Sequence, residues 1–234
     1  VLARGGGRPD FSIARVYALS GKTSDKLKAA EALIFPMESR NLLKHREQAL
    51  ALYDEVLKAK PDARALPYLS TNREMLAREV DFAAGKWVEM KFEPELLWRK
   101  TPHWTVESPT SIIGKFHGAM HLYSTSYLPP PLEMTVDIEV VESKEFCPVG
   151  ILAGPPSEAQ SGQFFWFDPM TKRMNGSPYG AEPQGLLLEP KQVNQLHVRL
   201  WPQAWEVYLN GEGLEETLPK PIDTGGFVGL SSMF

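Results

Sequence analysis

The amino-acid sequence predicts an α+β protein in which a helical segment precedes a large antiparallel β-structure. Up to Gly85, apolar residues recur at the spacing of amphipathic helices. Beyond Gly85, short runs of alternating apolar and polar residues are separated by clusters of proline and glycine. We therefore expect a flexible glycine-rich lead-in over 1–11, a helical segment over 12–85 and a β-sandwich or barrel over 86–234.

The composition is that of an ordinary globular protein. The 234 residues suffice for one large β domain or two smaller domains, and 43% are hydrophobic while 23% are charged. A formal net charge of −4 argues against a nucleic-acid partner, because such proteins normally concentrate positive charge on one face. No apolar run approaches the roughly 20 residues of a transmembrane helix.

The ends of the chain and its single cysteine bear on its setting. Cys147 excludes an internal disulfide and leaves the redox compartment open. The chain begins at Val1 without a signal-peptide pattern, and its last residues, Gly229–Phe234, end in an expected strand. We expect a fragment of a longer protein or a processed chain, with an extracytoplasmic location favoured.

Three helices are expected in the first segment. Thr23 can cap the first, which ends near Pro36. The second is expected from Glu38 to Ala59, and the third from Arg73 to Ala84 with Gly85 as its C-terminal stop. Consecutive helices of this kind predict an α-helical hairpin.

The second of these helices resembles half of a tetratricopeptide repeat. Ala49 is followed four residues later by Tyr53, then by Val56 and a closing Pro61, as in the second helix of that repeat. The upstream Trp-x2-Leu-Gly-x2-Tyr half and a second copy are absent from the sequence. A plain amphipathic helix pair is the equal alternative.

About ten strands are expected after Gly85, and no helical pattern interrupts them. They are expected at 86–92, 103–107, 111–116, 119–124, 131–142, 147–153, 162–168, 194–201, 205–210 and 226–232. Short strands in this number, joined by turns, are typical of a two-sheet sandwich or a barrel.

The stretch from Asn194 to Glu212 predicts its own strand pairing. An even loop centred on Pro202 and Gln203 keeps the apolar side chains of both strands on one face, whereas an odd loop would bury Glu206. Asn210 and Gly211 tolerate positive φ and supply the next tight turn. The expected pairs are Leu200 with Trp205, Val198 with Val207, Leu196 with Leu209, Arg199 with Glu206, and His197 with Tyr208.

Several of these stretches together resemble a concanavalin A-like (laminin-G-type) jelly-roll domain. His103–Glu107 followed by Ile112–Gly114 is similar to its opening strands, Leu132–Glu142 to the long strand that follows, and 194–211 with Gly229 and Leu230 to its closing strands. The resemblance covers about 86–234 and implies an antiparallel two-sheet jelly-roll β-sandwich. That fold hosts lectins, glycan-binding modules, glycoside hydrolases and adhesion domains.

One strand is similar to the catalytic Glu-x-Asp-x-Glu strand of laminarinase-type glycosidases. Asp137 and Glu139 match the assisting and acid/base carboxylates, but Thr135 stands where the resemblance places the nucleophile. A threonine cannot form the glycosyl intermediate of the retaining scheme. Whether the chain is an enzyme stays open, with the balance against catalysis.

A second comparison is with 3-keto-disaccharide hydrolase-like domains, which the chain resembles at Trp104 and at Gly150. Their next strand usually reads Gly-Tyr-Glu-x-Gln-x-x-Asp, and 162–168 keeps only the glycine and the final Asp168. Phe164 or Phe165 replaces the glutamate. Catalysis of that type is therefore not expected.

No cofactor is expected. His117 and His121 lie four residues apart on an expected strand, roughly 13 Å along the backbone, and no third zinc ligand is indicated. The loop from Asp168 to Asn175 carries oxygens that calcium could use, although a solvated turn is the preferred interpretation.

A mixed polar and aromatic face of the sheet is the predicted binding site. Sugars are held by stacking on aromatic rings and by hydrogen bonds from hydroxyls to carboxylates, arginine and amides. The alternative is a set of cross-strand pairs on a solvated face. The candidate ligand-binding residues are Asp137, Glu139, His197, Arg199, Trp201, Glu206 and Tyr208.

The function predicted on this basis is non-catalytic recognition or assembly within a larger protein, through a glycan or a protein partner. One alternative is a carbohydrate-active hydrolase or lyase that uses Asp137 and Glu139. Another is assembly into a homo-oligomer or a larger complex, with the helical hairpin as the docking surface.

Overall fold

The computed structural model describes residues 11–35, 40–93, 97–100, 103–115, 120–142, 149–153, 163–168, 173–177, 189, 191–217 and 227–232. The chain divides into two compact units, Val1–Met90 and Lys91–Phe234. The first is helical and the second is built from antiparallel sheets, so the chain is of the α+β class.

The helical unit contains four helices within its described residues. They are α1 (Phe11–Ala18), α2 (Thr23–Ile34), α3 (Leu43–Lys58) and α4 (Leu66–Ala83). Each helix contacts the next along the chain. Three of the helical predictions were wrong in detail: α1 was missed, α3 begins later than Glu38, and α4 begins well before Arg73.

The start of α4 shows why its prediction was wrong. Pro67 lies in the first turn, where its missing N–H breaks no helical hydrogen bond, so it starts the helix instead of excluding it. The cap of α2 was also misassigned. Lys22 occupies the N-cap position with an extended backbone, and Thr23 is already helical.

The core of the helical unit is mainly apolar and includes a buried ion pair. Ala49, Tyr53 and Val56 of α3 are buried, as expected for its inner face. Glu79 of α4 is fully buried and pairs with the guanidinium of Arg40. A buried carboxylate needs such a partner, because an unpaired charge in the core is strongly destabilising. The resemblance to a tetratricopeptide repeat stays a prediction.

The β-unit contains twelve strands within its described residues. They are β1 (Trp98–Lys100), β2 (Trp104–Ser108), β3 (Ser111–Gly114), β4 (Met120–Ser124), β5 (Leu132–Glu139), β6 (Val149–Ala153), β7 (Gln163–Asp168), β8 (Arg173–Ser177), β9 (Val193–Leu200), β10 (Ala204–Leu209), β11 (Glu212–Thr217) and β12 (Val228–Ser232). All their pairings are antiparallel.

The strands form a larger sheet, a smaller sheet and a separate hairpin. The larger sheet has the order β1-β4-β12-β6-β7-β8, the smaller sheet has the order β11-β10-β9-β5, and β2 pairs with β3. Within the described strands neither sheet closes on itself, so the barrel alternative is not supported. The last strand, β12, lies between β4 and β6, which requires long crossing connections.

Four strand predictions were wrong. The stretch at 86–92 is irregular, and its alternating Trp87 is 70% exposed, so nothing holds it in a sheet. Strands β1, β8 and β11 were missed. Strand β8 contains Asn175 and Gly176, which were interpreted as a turn, and β11 carries almost no apolar alternation.

The register of the β9–β10 hairpin is confirmed at all five predicted pairs. The apolar rows of both strands are buried, with Trp205 2% exposed. Trp201 N–H donates to the Ala204 carbonyl at 2.9 Å and closes the loop around Pro202 and Gln203. At the other end Asn210 (φ 52°) and Gly211 (φ 86°) make the predicted turn into β11.

The β2–β3 hairpin packs on the larger sheet. Trp104 lies against Met120 and Leu122, with Leu230 of β12 beside them. Gly114 allows this approach, since a Cβ there would lie 2.9 Å from the Trp104 ring.

Candidate functional site

The candidate site is the solvent-facing side of the smaller sheet, which we call the polar face. Side chains alternate across a strand, so burial of one row places the intervening polar row outward. Strand pairing then aligns the outward residues in rows across the sheet. The polar face consists of Glu133, Thr135, Asp137 and Glu139 on β5, Gln195, His197 and Arg199 on β9, and Glu206 and Tyr208 on β10.

The first row places one guanidinium between two carboxylates. Glu133 pairs with Arg199, and Arg199 pairs with Glu206. Arg199 Nε donates to Glu133 Oε1 at 3.0 Å, and Nη1 donates to Glu206 Oε2 at 3.2 Å. The guanidinium is therefore held from both sides by its own sheet, in charge-assisted hydrogen bonds.

The charges in this row reinforce one another. Desolvation pushes the pKa of Glu133 upward, but hydrogen bonds from Arg199 and His197 outweigh it and leave the pKa below its ordinary value. Hydrogen bonds to Glu133 and Glu206 raise the pKa of Arg199. Glu133 and Arg199 are thus both charged at neutral pH.

The second row carries the aromatic surface. Thr135, His197 and Tyr208 are cross-strand neighbours. The His197 ring stacks on the Tyr208 ring, with centroids 5.2 Å apart and planes inclined by 24°. Arg199 also lies near that ring, its Cζ 5.7 Å from the centroid. The rings and the guanidinium form one continuous surface.

Hydrogen bonds join the two rows. His197 Nε2 lies 2.6 Å from Glu133 Oε1, and Tyr208 OH donates to Glu206 Oε2 at 2.9 Å. Each end of the charged row is therefore tied to one ring of the aromatic row.

Gly213 of β11 allows the Tyr208 ring to lie across the neighbouring strand. The two residues are paired, and a Cβ at Gly213 would lie 2.4 Å from the ring. Any larger residue would displace the ring, since carbon atoms do not approach so closely. The absence of a side chain at this one position sets the orientation of the aromatic surface.

The other predicted site residues lie apart from this cluster. Asp137 faces Gln195, whose Nε2 donates to Asp137 Oδ1 at 3.3 Å. Glu139 is exposed at the end of β5, beside Val193. Trp201 lies at the β9–β10 turn and is 37% exposed. The structure thus brings His197, Arg199, Glu206 and Tyr208 together and leaves Asp137, Glu139 and Trp201 at the margins.

Three members of the polar face were not predicted as ligand-binding residues: Glu133, Thr135 and Gln195. Gly213 of β11, against which the Tyr208 ring lies, was not predicted either. Glu133 joins the cluster only because β5 pairs with β9, a contact between strands far apart in the chain. Glu133 does share the parity of Asp137 and Glu139, so that signal was present. Gly213 carried no signal beyond following the Asn210–Gly211 turn.

The histidine and metal hypotheses have different outcomes. His121 is half-buried on β4, where its Nδ1 lies 3.0 Å from Ser231 Oγ, and burial lowers its pKa. His117, Cys147 and Gly162 lie outside the described residues, as does the middle of the loop proposed for calcium, 169–172. Of that loop, Asp168 ends β7 and 173–175 belong to β8, so the predicted loop is shorter than expected. Among the residues that are described, no group of three or more His, Cys, Asp or Glu is placed to hold a metal ion.

No helix within the described ranges is long and apolar enough to cross a bilayer. No family model matches the chain. A search of curated proteins finds no match either.

Several solved structures are similar in fold. One is the carbohydrate-binding module CBM66 from Bacillus subtilis, with a TM-score of 0.47 and 12% identity, covering 59% of this chain and 91% of that one. A putative glycosyl hydrolase from Parabacteroides distasonis ATCC 8503 has a TM-score of 0.44 and 15% identity over 59% of this chain and 82% of its own. Sheep galectin-11 has a TM-score of 0.30 and 17% identity, covering 45% of this chain and 92% of that one. At these values the similarities carry no conclusion about what this chain binds.

Proposed function

We propose that the polar face binds a glycan and that the β-unit is a non-catalytic recognition domain of a larger protein. The observation that carries this proposal is the aromatic row, in which the Tyr208 ring lies across Gly213 beside fixed donors and acceptors. An aromatic plate beside a few oriented polar groups is the combination that binds a sugar ring and its hydroxyls.

The cluster is arranged before a ligand arrives. His197, Arg199 and Tyr208 are each held by a stacking contact or a hydrogen bond within the sheet. Binding then loses little side-chain entropy, which otherwise costs about 0.5–1.5 kcal/mol per immobilised side chain. This ordering favours a rigid ligand with a flat face, such as a pyranose or furanose ring.

The finer fold assignment belongs to the same proposal. We assign the two larger sheets to a concanavalin A-like, laminin-G-type jelly roll that begins near residue 86. Antiparallel pairing throughout and the position of β12 between β4 and β6 support this assignment. The helical segment over 12–85 would then be a separate attachment or assembly element.

The hydrolase or lyase alternative receives less support. Asp137 is engaged by the Gln195 amide, and Thr135, at the position of the missing nucleophile, faces His197. Incubating wild type and Glu139→Gln with β-glucans separates the two functions. Turnover by wild type that Glu139→Gln abolishes would establish the enzyme, whereas background rates for both leave binding as the function.

The binding proposal is tested by screening wild type against an oligosaccharide array and titrating the hits. Tyr208→Ala removes the plate and is expected to weaken binding by about tenfold or more, or about 1.4 kcal/mol. Trp201→Ala tests the margin of the face, and Val141→Ala changes an exposed residue outside it as a control. Binding that survives Tyr208→Ala unchanged, or wild type that binds no glycan saturably, refutes the proposal.

The rival roles give different results in the same preparation. Sedimentation of the full chain over a range of concentrations would show self-association if the function is assembly. If the ligand is a protein partner, Arg199→Ala should weaken its binding, and no sugar should compete with it.

A further inference from the structure

We infer that the polar face is selective for glycans without acidic groups and excludes sulfated and uronic-acid glycans. This inference rests on the proposed function, because it concerns the same site. It follows from what the one guanidinium of the cluster already binds and from the carboxylates that surround it.

Arginine usually recognises an acidic sugar by gripping a carboxylate or sulfate with two parallel N–H groups. In this sheet the fork of Arg199 is already divided between two internal partners. Its Nε is taken by Glu133 and its Nη1 by Glu206. Three of the five N–H groups of Arg199 are outside these two bonds, but an anion that uses them, or that displaces Glu133 or Glu206, would lie close to a carboxylate of the same sign of charge.

The remaining polar groups are mainly acceptors. Among the side chains that the structure describes on this face, four are carboxylates, those of Glu133, Asp137, Glu139 and Glu206, and one is a guanidinium, that of Arg199. Like charges brought together at an interface cost free energy. Sugar hydroxyls, in contrast, can each donate a hydrogen bond to a carboxylate oxygen.

The aromatic row supports the same class of ligand. The Tyr208 hydroxyl is directed to Glu206, so the exposed part of this row is ring surface. Ring surface next to acceptors suits a neutral sugar with an apolar C–H face and hydroxyls at its edge.

The test uses the full chain and pairs of glycans that share a backbone. Chemically desulfated carrageenan oligosaccharides are compared with their sulfated parents, and cello-oligosaccharides with carboxymethylated ones, at low salt where charge effects are least screened. We expect the neutral member of a bound pair to bind at least about tenfold more tightly, or about 1.4 kcal/mol. Raising the salt concentration should narrow the difference, because it screens the repulsion.

Two variants test the cause. The double variant Glu133→Gln with Glu206→Gln releases Arg199 from both carboxylates and should reduce the preference for the neutral member by about tenfold. The double variant Asp137→Asn with Glu139→Gln removes the two carboxylates that do not contact Arg199. It should reduce the preference for the neutral member by less than the first double variant does. Circular dichroism of each variant checks that the sheet is intact.

The outcomes separate this inference from the proposed function. Wild type that binds acidic members as tightly as neutral ones overturns the inference while glycan binding stands. A preference that the folded Glu133→Gln, Glu206→Gln variant leaves unchanged also overturns it. Wild type that binds neither member of any pair refutes the proposed function and the inference together.

Discussion

Replacing Asn194 by alanine should destabilise the β-unit more than any other single polar change near the site. Asn194 is 1% exposed at the start of β9. Its Nδ2 donates to the carbonyls of Glu189 and Gln192 at 2.8 and 2.9 Å. Its Oδ1 accepts from Glu189 N–H and from Asn210 Nδ2, both at 3.0 Å. One side chain therefore holds the incoming chain and the β10–β11 turn to the same strand.

The magnitude follows from these four hydrogen bonds. At a net contribution of about 0.5–1.5 kcal/mol per hydrogen bond, the loss in the free energy of unfolding is about 2–6 kcal/mol. We expect about 3 kcal/mol, because water can reach some of the groups that lose their partner. In a unit of this size that corresponds to a fall of roughly 6–12 °C in Tm. Asn210→Gly is the matched comparison, because glycine accepts the φ of 52° and only two side-chain bonds are lost.

Urea unfolding followed by tryptophan fluorescence provides the measurement. Five of the six tryptophans lie within 91–234, so the signal reports mainly on the β-unit. We expect Asn194→Ala to lose about twice as much stability as Asn210→Gly, with a coupling of roughly 1 kcal/mol between them in the double variant. A loss below about 1 kcal/mol for Asn194→Ala, the size of an ordinary surface change, would refute the reasoning.

Three further predictions concern the sheets. Gly213→Val should displace the Tyr208 ring, since its Cβ would lie 2.4 Å from the ring, and should weaken glycan binding as much as Tyr208→Ala does. Unchanged affinity in calorimetric titration would contradict a role of the aromatic surface in binding. Tyr123→Phe should leave the free energy of unfolding equal or raise it by up to about 1 kcal/mol. The buried Tyr123 hydroxyl has no hydrogen-bond partner among the described residues, and burial raises its pKa to about 12. A clear fall in Tm on thermal unfolding would contradict this and reveal a partner. Burial lowers the pKa of His121, so stability should be constant above about pH 6.5 and fall as the pH drops from there through the lower pKa of the folded state. Urea unfolding midpoints measured from pH 7.5 to 5 give the dependence of stability on pH, which should be weaker in His121→Gln. An equal pH dependence in both proteins would show that another group causes it.

The sequence was sufficient where structure depends on neighbours along the chain. Alternation on both sides of Pro202 and the turn residues Asn210 and Gly211 defined a register that the structure confirms. The same local signals predicted the inner face of α3 in its middle and last turns, where Ala49, Tyr53 and Val56 are buried, but not at its start, where Leu43 is 37% exposed. In each case the information lies within about one turn or one hairpin.

The sequence was insufficient where pairing decides the outcome. Strand β11, with Leu214 as its only large apolar residue, forms because β10 supplies a hydrogen-bonding edge, not because its own pattern favours a strand. Trp87 and its neighbours alternate correctly but have no partner strand within the described residues. Glu133 entered the site through a contact with Arg199, 66 residues away, which no local pattern encodes.

The distance along the chain between Glu133 and Arg199 has a consequence for the order in which the sheet folds. Arg199 and Glu206 are 7 residues apart, and β9, β10 and β11 follow one another through tight turns, so this meander can form early. Strand β5 must close a far longer loop before it pairs with β9, and loop closure of that length is slower and entropically costlier. Until β5 pairs with β9, Arg199 therefore has Glu206 but lacks Glu133 as a partner. We therefore predict that a polyanion, by binding the open side of this guanidinium, slows refolding of the wild type but not of Arg199→Ala.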